Sequence, residues 1–467
     1  MQQLYHAIFN DEIENDKEAC QLLFGKDKDR RYAKVKHRLK QQMLDTVLLL
    51  EPKEKGLSDY HETFTVLRKK LCVADVMRRE GKYAVVYDVA KKVREKADEA
   101  EMAGLCLHSA NLLMTYYLFG DPKAEERKEY IAMARKYSYL YQAEIEAYAC
   151  FQELMEKLED VKVKDEEKLR FAEGLLTKLD KAYPDVSTIE YNVFYNTIQI
   201  SAKLYNSDYD AIKAICRQQI DILEDKPVYP RGHVRNYLFQ LINVSLPTKD
   251  FETGKAAYEH LLKIVDPGVR PWFRAKQFYI YLAIHTEDYA LAFETCNNVI
   301  NHRKFRNQKG LIRERFLLLR AYTTWLNRIG MIDDDEHRSR SFRLGKFMNE
   351  VPEFSKEKRG FNISILVIQL LWVITRNQYD LAEDRLTALD RYLHRNLKKT
   401  PDLERTYYFL KAIAKLRSAG FNRAKFEEKT KGLLKTLEDI PSTANPDAIE
   451  IEILPYEKIY ELLLEQL

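Results

Sequence analysis

Residues 249–265 read KDFETGKAAYEHLLKIV, and the order of residue types in this stretch decides the fold class. Asp250 follows a polar residue and precedes an aromatic one, so its side chain can accept from the first free N–H groups of a helix. After Phe251, small or apolar residues fall at Gly254, Tyr258, Leu261, Leu262 and Val265. Steps of mostly three and four place them on one face of an α-helix. A further helical pattern covers 234–246, just before the turn, and two helices joined this closely form an αα-hairpin.

The phrase recurs along the chain, at Gly81-Lys82-Tyr83, Ser207-Asp208-Tyr209, Glu287-Asp288-Tyr289, Asn377-Gln378-Tyr379 and Ala419-Gly420-Phe421. Asp208 and Asp288 are expected to cap as Asp250 does. From Tyr83 the apolar positions are Val86, Tyr87, Ala90, Val93 and Ala97; from Tyr289 they are Ala292, Phe293, Cys296, Val299 and Ile300. Neighbouring repeats are spaced by about 40 residues, and the two long gaps, 83 to 209 and 289 to 379, hold about three and two such units. Second helices over 121–139, 165–183 and 341–351 are expected to fill them. These spacings predict an all-α chain: an α-solenoid of about nine antiparallel helix pairs. Residues 1–55 read as an amino-terminal helical cap, 56–440 as the helical-repeat solenoid, and 441–467 as a linker and a carboxy-terminal capping helix from Tyr456.

The second helix of the best unit resembles that of the tetratricopeptide family: Phe251 at its start, Gly254 three later, Tyr258 seven later and Pro267 near its end, with Leu261 where the family has a small residue. Tyr289, Ala292 and Cys296 match less fully, and the last unit keeps Phe421 and Ala424. The resemblance implies a right-handed superhelix in which the first helix of each pair lines a concave groove. On that implication, Asn236, Phe239 and Asn243 line the groove from one helix, and Arg274, Gln277, Tyr281 and His285 from the next. Amide, cationic and aromatic groups together suit peptide recognition. Only Asn243 fits the Asn and Lys carboxylate clamp of the family's chaperone-tail binders.

Composition agrees with long helices. Gly (15) and Pro (13) are scarce in 467 residues, whereas a sandwich or barrel needs such turn residues about every 8–12 positions. The near balance of 76 Lys+Arg with 72 Asp+Glu gives a net charge of +4, which argues against nucleic-acid binding by the chain as a whole. Cys20, Cys72, Cys106, Cys150, Cys216 and Cys296 are far apart and read as reduced core thiols. Met1–Asn10 has no secretory pattern. Residues 361–375 are strongly apolar but too short to span a bilayer, and read as a helix buried on most sides. A cytoplasmic location is expected. The glycosylation-type triplets at Asn243 and Asn362 fall in helical segments and read as chance matches.

No pattern for chemistry emerges. Gly25-Lys26, Gly81-Lys82, Gly254-Lys255 and Gly345-Lys346 are not followed by Ser or Thr, so no phosphate loop is expected. His61-Glu62 lacks the second histidine of a zinc helix, and Asp333-Asp334-Asp335-Glu336 lacks the alternating ligands and turn glycine of a calcium loop. Catalytic residues, metal and cofactor are all expected to be absent. Two charged features remain. Arg303, Lys304, Arg306, Lys309, Arg313, Arg315 and Arg320 crowd a stretch with the single acid Glu314. Arg313, Arg320 and Asn327 share a helix face, and the two arginines are expected to face the groove and take an acidic or phosphorylated partner. Near the start, predicted helices over 17–24 and 32–50 flank the basic run 26–31; they read as a cap packed through Leu39, Met43, Leu44, Val47 and Leu48, with DNA binding as the alternative. The function expected is therefore a protein- or peptide-binding adaptor, the alternative a regulator with amino-terminal DNA-binding helices and a peptide-sensing repeat.

Overall fold

A computed structural model describes residues 1–10, 12–49, 59–119, 124–160, 163–333, 343–351, 361–396, 403–440 and 451–467. These residues form helices and turns, with no strand among them. In chain order the helices are α1 Gln2–Phe9, α2 Asp16–Phe24, α3 Arg30–Leu49, α4 Asp59–Arg79, α5 Tyr83–Glu99, α6 Ala103–Phe119, α7 Ala124–Glu159, α8 Asp165–Ala182, α9 Ile189–Tyr205, α10 Tyr209–Glu224 and α11 Arg231–Ser245. They continue as α12 Phe251–Ile264, α13 Arg270–His285, α14 Tyr289–Asn301, α15 Gly310–Arg328, α16 Leu344–Glu350, α17 Phe361–Thr375, α18 Tyr379–Asn396, α19 Glu404–Ile413, α20 Lys415–Ala419, α21 Arg423–Glu438 and α22 Tyr456–Gln466. Successive helices pack as neighbours, among them α4 with α5, α8 with α9, α10 with α11, α13 with α14, and α17 with α18.

The recurring turn has one construction. Gly81, Ser207, Lys249, Glu287 and Asn377 all adopt left-handed φ, between 52° and 69°. The residue after each reaches back five positions: Asp208 N–H donates to Lys203 O at 2.9 Å, Asp250 to Ser245 O at 3.0 Å, Asp288 to Ala283 O at 2.8 Å. This bond closes the first helix in the Schellman manner. The same aspartates then open the second helix, as the sequence predicts, accepting from Ala211 N, Thr253 N and Leu291 N at 3.1–3.2 Å. The last turn differs. Phe421 itself is left-handed (φ 54°) and Asn422 caps α21 through Lys425 N at 3.1 Å, so Phe421 lies in the turn and not at the helix start. Its ring packs on Tyr379 at 4.8 Å.

The chain divides into two compact units, residues 1–99 with 104–134, and 100–103 with 135–467. In the first, Leu4, Ala19 and Leu39 make a small core with Ile13, Leu23, Tyr32 and Val35. The expected packing of Met43 and Leu44 is not found: they are 48% and 52% exposed, because α1–α3 fold on one another through the earlier residues of α3. Val47 and Leu48 have side chains outside the described residues. Also in this unit, His108 of α6 meets Asp75 of α4 at 3.0 Å.

Where separate helices were expected on either side of residue 139, α7 runs unbroken for 36 residues. Residues 139–159 contain no Gly, Pro or capping Asn or Ser to end it. Its later half buries Ala143, Ala147, Cys150 and Leu154 against Ala172, Leu175 and Leu179 of α8 and Tyr191, Ile198 and Ala202 of α9. Further on, α17 is buried at every residue from Phe361 to Ile374, as its apolar sequence predicts. It is tied to α15 by Tyr322 OH to Ser364 O at 2.9 Å, Trp372 Nε1 to Ala321 O at 3.3 Å, and Trp325 Nε1 to Thr375 Oγ1 at 3.0 Å. Gly254, the small residue of the repeat, lets α12 approach α11 and α13: a Cβ there would lie 3.1 Å from that of Ser245 and 2.5 Å from Leu282 Cδ2. Five of the six cysteines are free and buried; Cys72 is exposed.

Candidate functional site

The residues expected to line a groove occupy α11, α13 and α15. Arg274 is exposed, its guanidinium over the rings of Phe239 at 5.0 Å and Phe278 at 5.5 Å, so the two neighbouring first helices do bring Phe239 and Arg274 together. Beneath them Gln277 Nε2 donates to Tyr281 OH at 3.1 Å, and both residues are buried. Asn243 is buried as well, while Asn236 and Arg320 are exposed. Arg313 is half-buried, 3.7 Å from Glu350 of α16 and over the Phe305 ring. Of the acidic run 333–336 only Asp333 lies among the described residues; the acid beside Arg313 is Glu350. Lys304 Nζ donates to Pro267 O at 3.0 Å.

His285, at the end of α13, meets a different surface. Its Nε2 lies 3.2 Å from Glu452 O. Burial pushes the imidazole down to about 4, so at neutral pH the ring is uncharged, and facing a carbonyl it must carry its proton on Nε2. Glu452 belongs to the carboxy-terminal segment 451–467, which reaches far beyond the last helix pair. Ser364 Oγ of α17 donates to Ile451 O at 2.7 Å. Tyr456 stacks on Phe409 of α19 at 4.0 Å and 10° and shares a hydrogen bond with Thr406 at 3.0 Å. Tyr460 does the same with Thr430 of α21 at 2.7 Å.

Arg405 anchors the segment. Its Nε and Nη2 donate to the two Glu452 carboxylate oxygens at 3.0 and 2.7 Å, and Nη2 also to Glu457 at 2.8 Å. Nη1 donates to the carbonyl of Leu437 at 3.1 Å. Burial works against the guanidinium charge, but the two carboxylates outweigh it and raise the pKa above its ordinary value. Burial likewise raises Glu452 against the pull of Arg405; with two N–H donors on its oxygens, Glu452 is the anionic half of an ion pair. The sequence does not single out Ser364, Arg405, Thr406 or Glu452 as partners in this seat, since the hydrogen bonds that join the segment to His285, Ser364, Arg405 and Thr406 span 47 or more positions.

A second polar cluster joins α7, α9 and the turn at Glu101. Thr188 Oγ1 donates to the buried Glu144 at 2.7 Å while capping α9. Burial pushes the Glu144 carboxyl up to about 7; Thr188 opposes this, and the nearby Glu190 and Glu101 add to it. Glu101 is paired with Lys226, and His233 Nε2 is 3.4 Å from Glu190. Among the described residues no three His, Cys, Asp or Glu side chains gather to hold a metal ion, and no helix is long and apolar enough to cross a membrane. No protein-family model matches the chain, and no curated protein matches it.

Proposed function

We propose that the chain is a non-enzymatic adaptor that holds a peptide segment of another protein in the groove of a tetratricopeptide-like, right-handed solenoid. The observation that carries the reading is the seating of residues 451–467, whose main-chain carbonyls at Ile451 and Glu452 accept from the side chains of Ser364 and His285. Side chains aimed at main-chain groups hold a segment by its backbone, the first need of peptide recognition. Exposed Asn236, Arg274 and Arg320 are the accessible members of the expected surface, and an acidic or phosphorylated peptide suits them. Panning a random peptide library on the full chain and on the Arg274→Glu, Arg320→Glu variant tests this. Acidic sequences should be enriched on the first and lost on the second, with helical content unchanged. Equal recovery on both, or none on either, would count against it.

The exposed cations Lys34, Arg38 and Lys40 on α3 favour the alternative, a regulator that binds DNA through its amino-terminal helices. Duplex binding that weakens steeply with salt and disappears in Lys34→Glu, Arg38→Glu would support it.

A further inference from the structure

We infer that residues 451–467 are a displaceable internal ligand, and that the outside partner is a segment of the same chemistry: acidic, with tyrosines, and helical in its second half. This rests on the peptide-binding reading above and names the partner class for it. A helix that merely ended a stack would touch the last pair. This segment touches α13 at His285, α17 at Ser364, α19 at Arg405, Thr406 and Phe409, and α21 at Thr430. Along the chain it follows α21 through residues 441–450. Its contacts follow a pattern: Glu452 and Glu457 on Arg405, Tyr456 on Phe409 and Tyr460 on Phe426, with Lys458 3.9 Å from Glu287.

Arg405 decides what can take the segment's place. Its side chain is only 12% exposed, and a buried guanidinium stripped of its carboxylates is strongly unfavourable. Any occupant that covers this side chain again must therefore bring carboxylates to the same spot. An apolar peptide could fill the volume next to Phe409 but would leave the charge unpaired. A basic one would add repulsion. The face thus selects an acidic aromatic peptide, and the chain's own carboxy terminus competes with it as a tethered rival.

The test places a protease site within 441–450 of the full chain, cleaves the folded protein, and adds a fluorescent synthetic peptide of residues 451–467. Saturable exchange is expected on the cleaved chain, with binding to the uncut chain weaker by roughly a hundredfold because the tethered copy competes. The peptide carrying Glu452→Lys and Glu457→Lys should bind at least roughly tenfold more weakly. Loss of helical content on cleavage, no exchange over a day, or equal binding of the charge-reversed peptide would each overturn the inference. Library peptides captured through Arg274 and Arg320 on a chain that never exchanges its terminus would leave the adaptor reading standing while this one falls.

Discussion

At the residue scale, the caps at Asp208, Asp250 and Asp288 are legible from sequence because donor and acceptor lie within three residues of one another. Glu144 is not: burial and the neighbours Thr188, Glu190 and Glu101 that shift it come from more than 40 positions away in the chain. Its folded-state pKa of about 7, raised from 4.5, means the folded chain holds a proton that the unfolded chain releases between those values. The stability this contributes is complete below about pH 4.5 and is lost as pH rises through 7. Glu144→Gln keeps an acceptor for Thr188 without the charge. Thermal melts of the two proteins should coincide near pH 4 and separate by about 3 kcal/mol in favour of the variant near pH 8; a constant difference would mean Glu144 is ionised throughout. Ser207, a non-glycine residue at φ 54°, bears the strain of a left-handed turn, so Ser207→Gly should stabilise by about 1 kcal/mol in urea titrations.

At the element scale, helix positions follow the sequence closely, and the departures have local reasons. α8 begins at Asp165 as expected, and α17 is buried along its length as its apolar run requires. The spacing of repeats predicts a break after residue 139, but spacing is only a pattern, and a helix ends where a residue ends it. Phe421 shows the converse: a cap at Asn422 shifts the helix start past the aromatic. Gly254 marks the tightest approach between helices. Ala there gains helix propensity of about 1 kcal/mol, while its Cβ would press on Leu282 Cδ2 at 2.5 Å and Ser245 Cβ at 3.1 Å, so the two effects roughly offset and the change should be near neutral. Gly254→Val adds two methyl groups to these already close contacts and should destabilise by about 1–3 kcal/mol in chemical denaturation.

At the scale of the whole molecule, the all-helical class and the paired packing were legible, while the seat of residues 451–467 was not. A helical pattern near the end of the chain reads as a cap, and nothing local to Glu452 announces Arg405. That ion pair is predicted to govern the segment's release. Arg405→Ala leaves Glu452 and Glu457 without their cation, a cost of about 3–5 kcal/mol. Hydrogen exchange at 451–467 should then accelerate far more than exchange in α7–α9; uniform acceleration would mean the segment is inseparable from the core.

The contact between His285 and Glu452 spans 167 positions, and this has a consequence for the newborn chain. At about 5–20 residues per second, ribosomes need roughly ten to thirty seconds to travel from one to the other. Throughout that interval α13 is already made, and the stretch that will cover it does not yet exist. The groups that would select a rival come later: on the reading of 451–467 as an internal ligand, Arg405 is made 47 positions before Glu452, and in that shorter interval an acidic peptide of the kind proposed would meet no tethered rival.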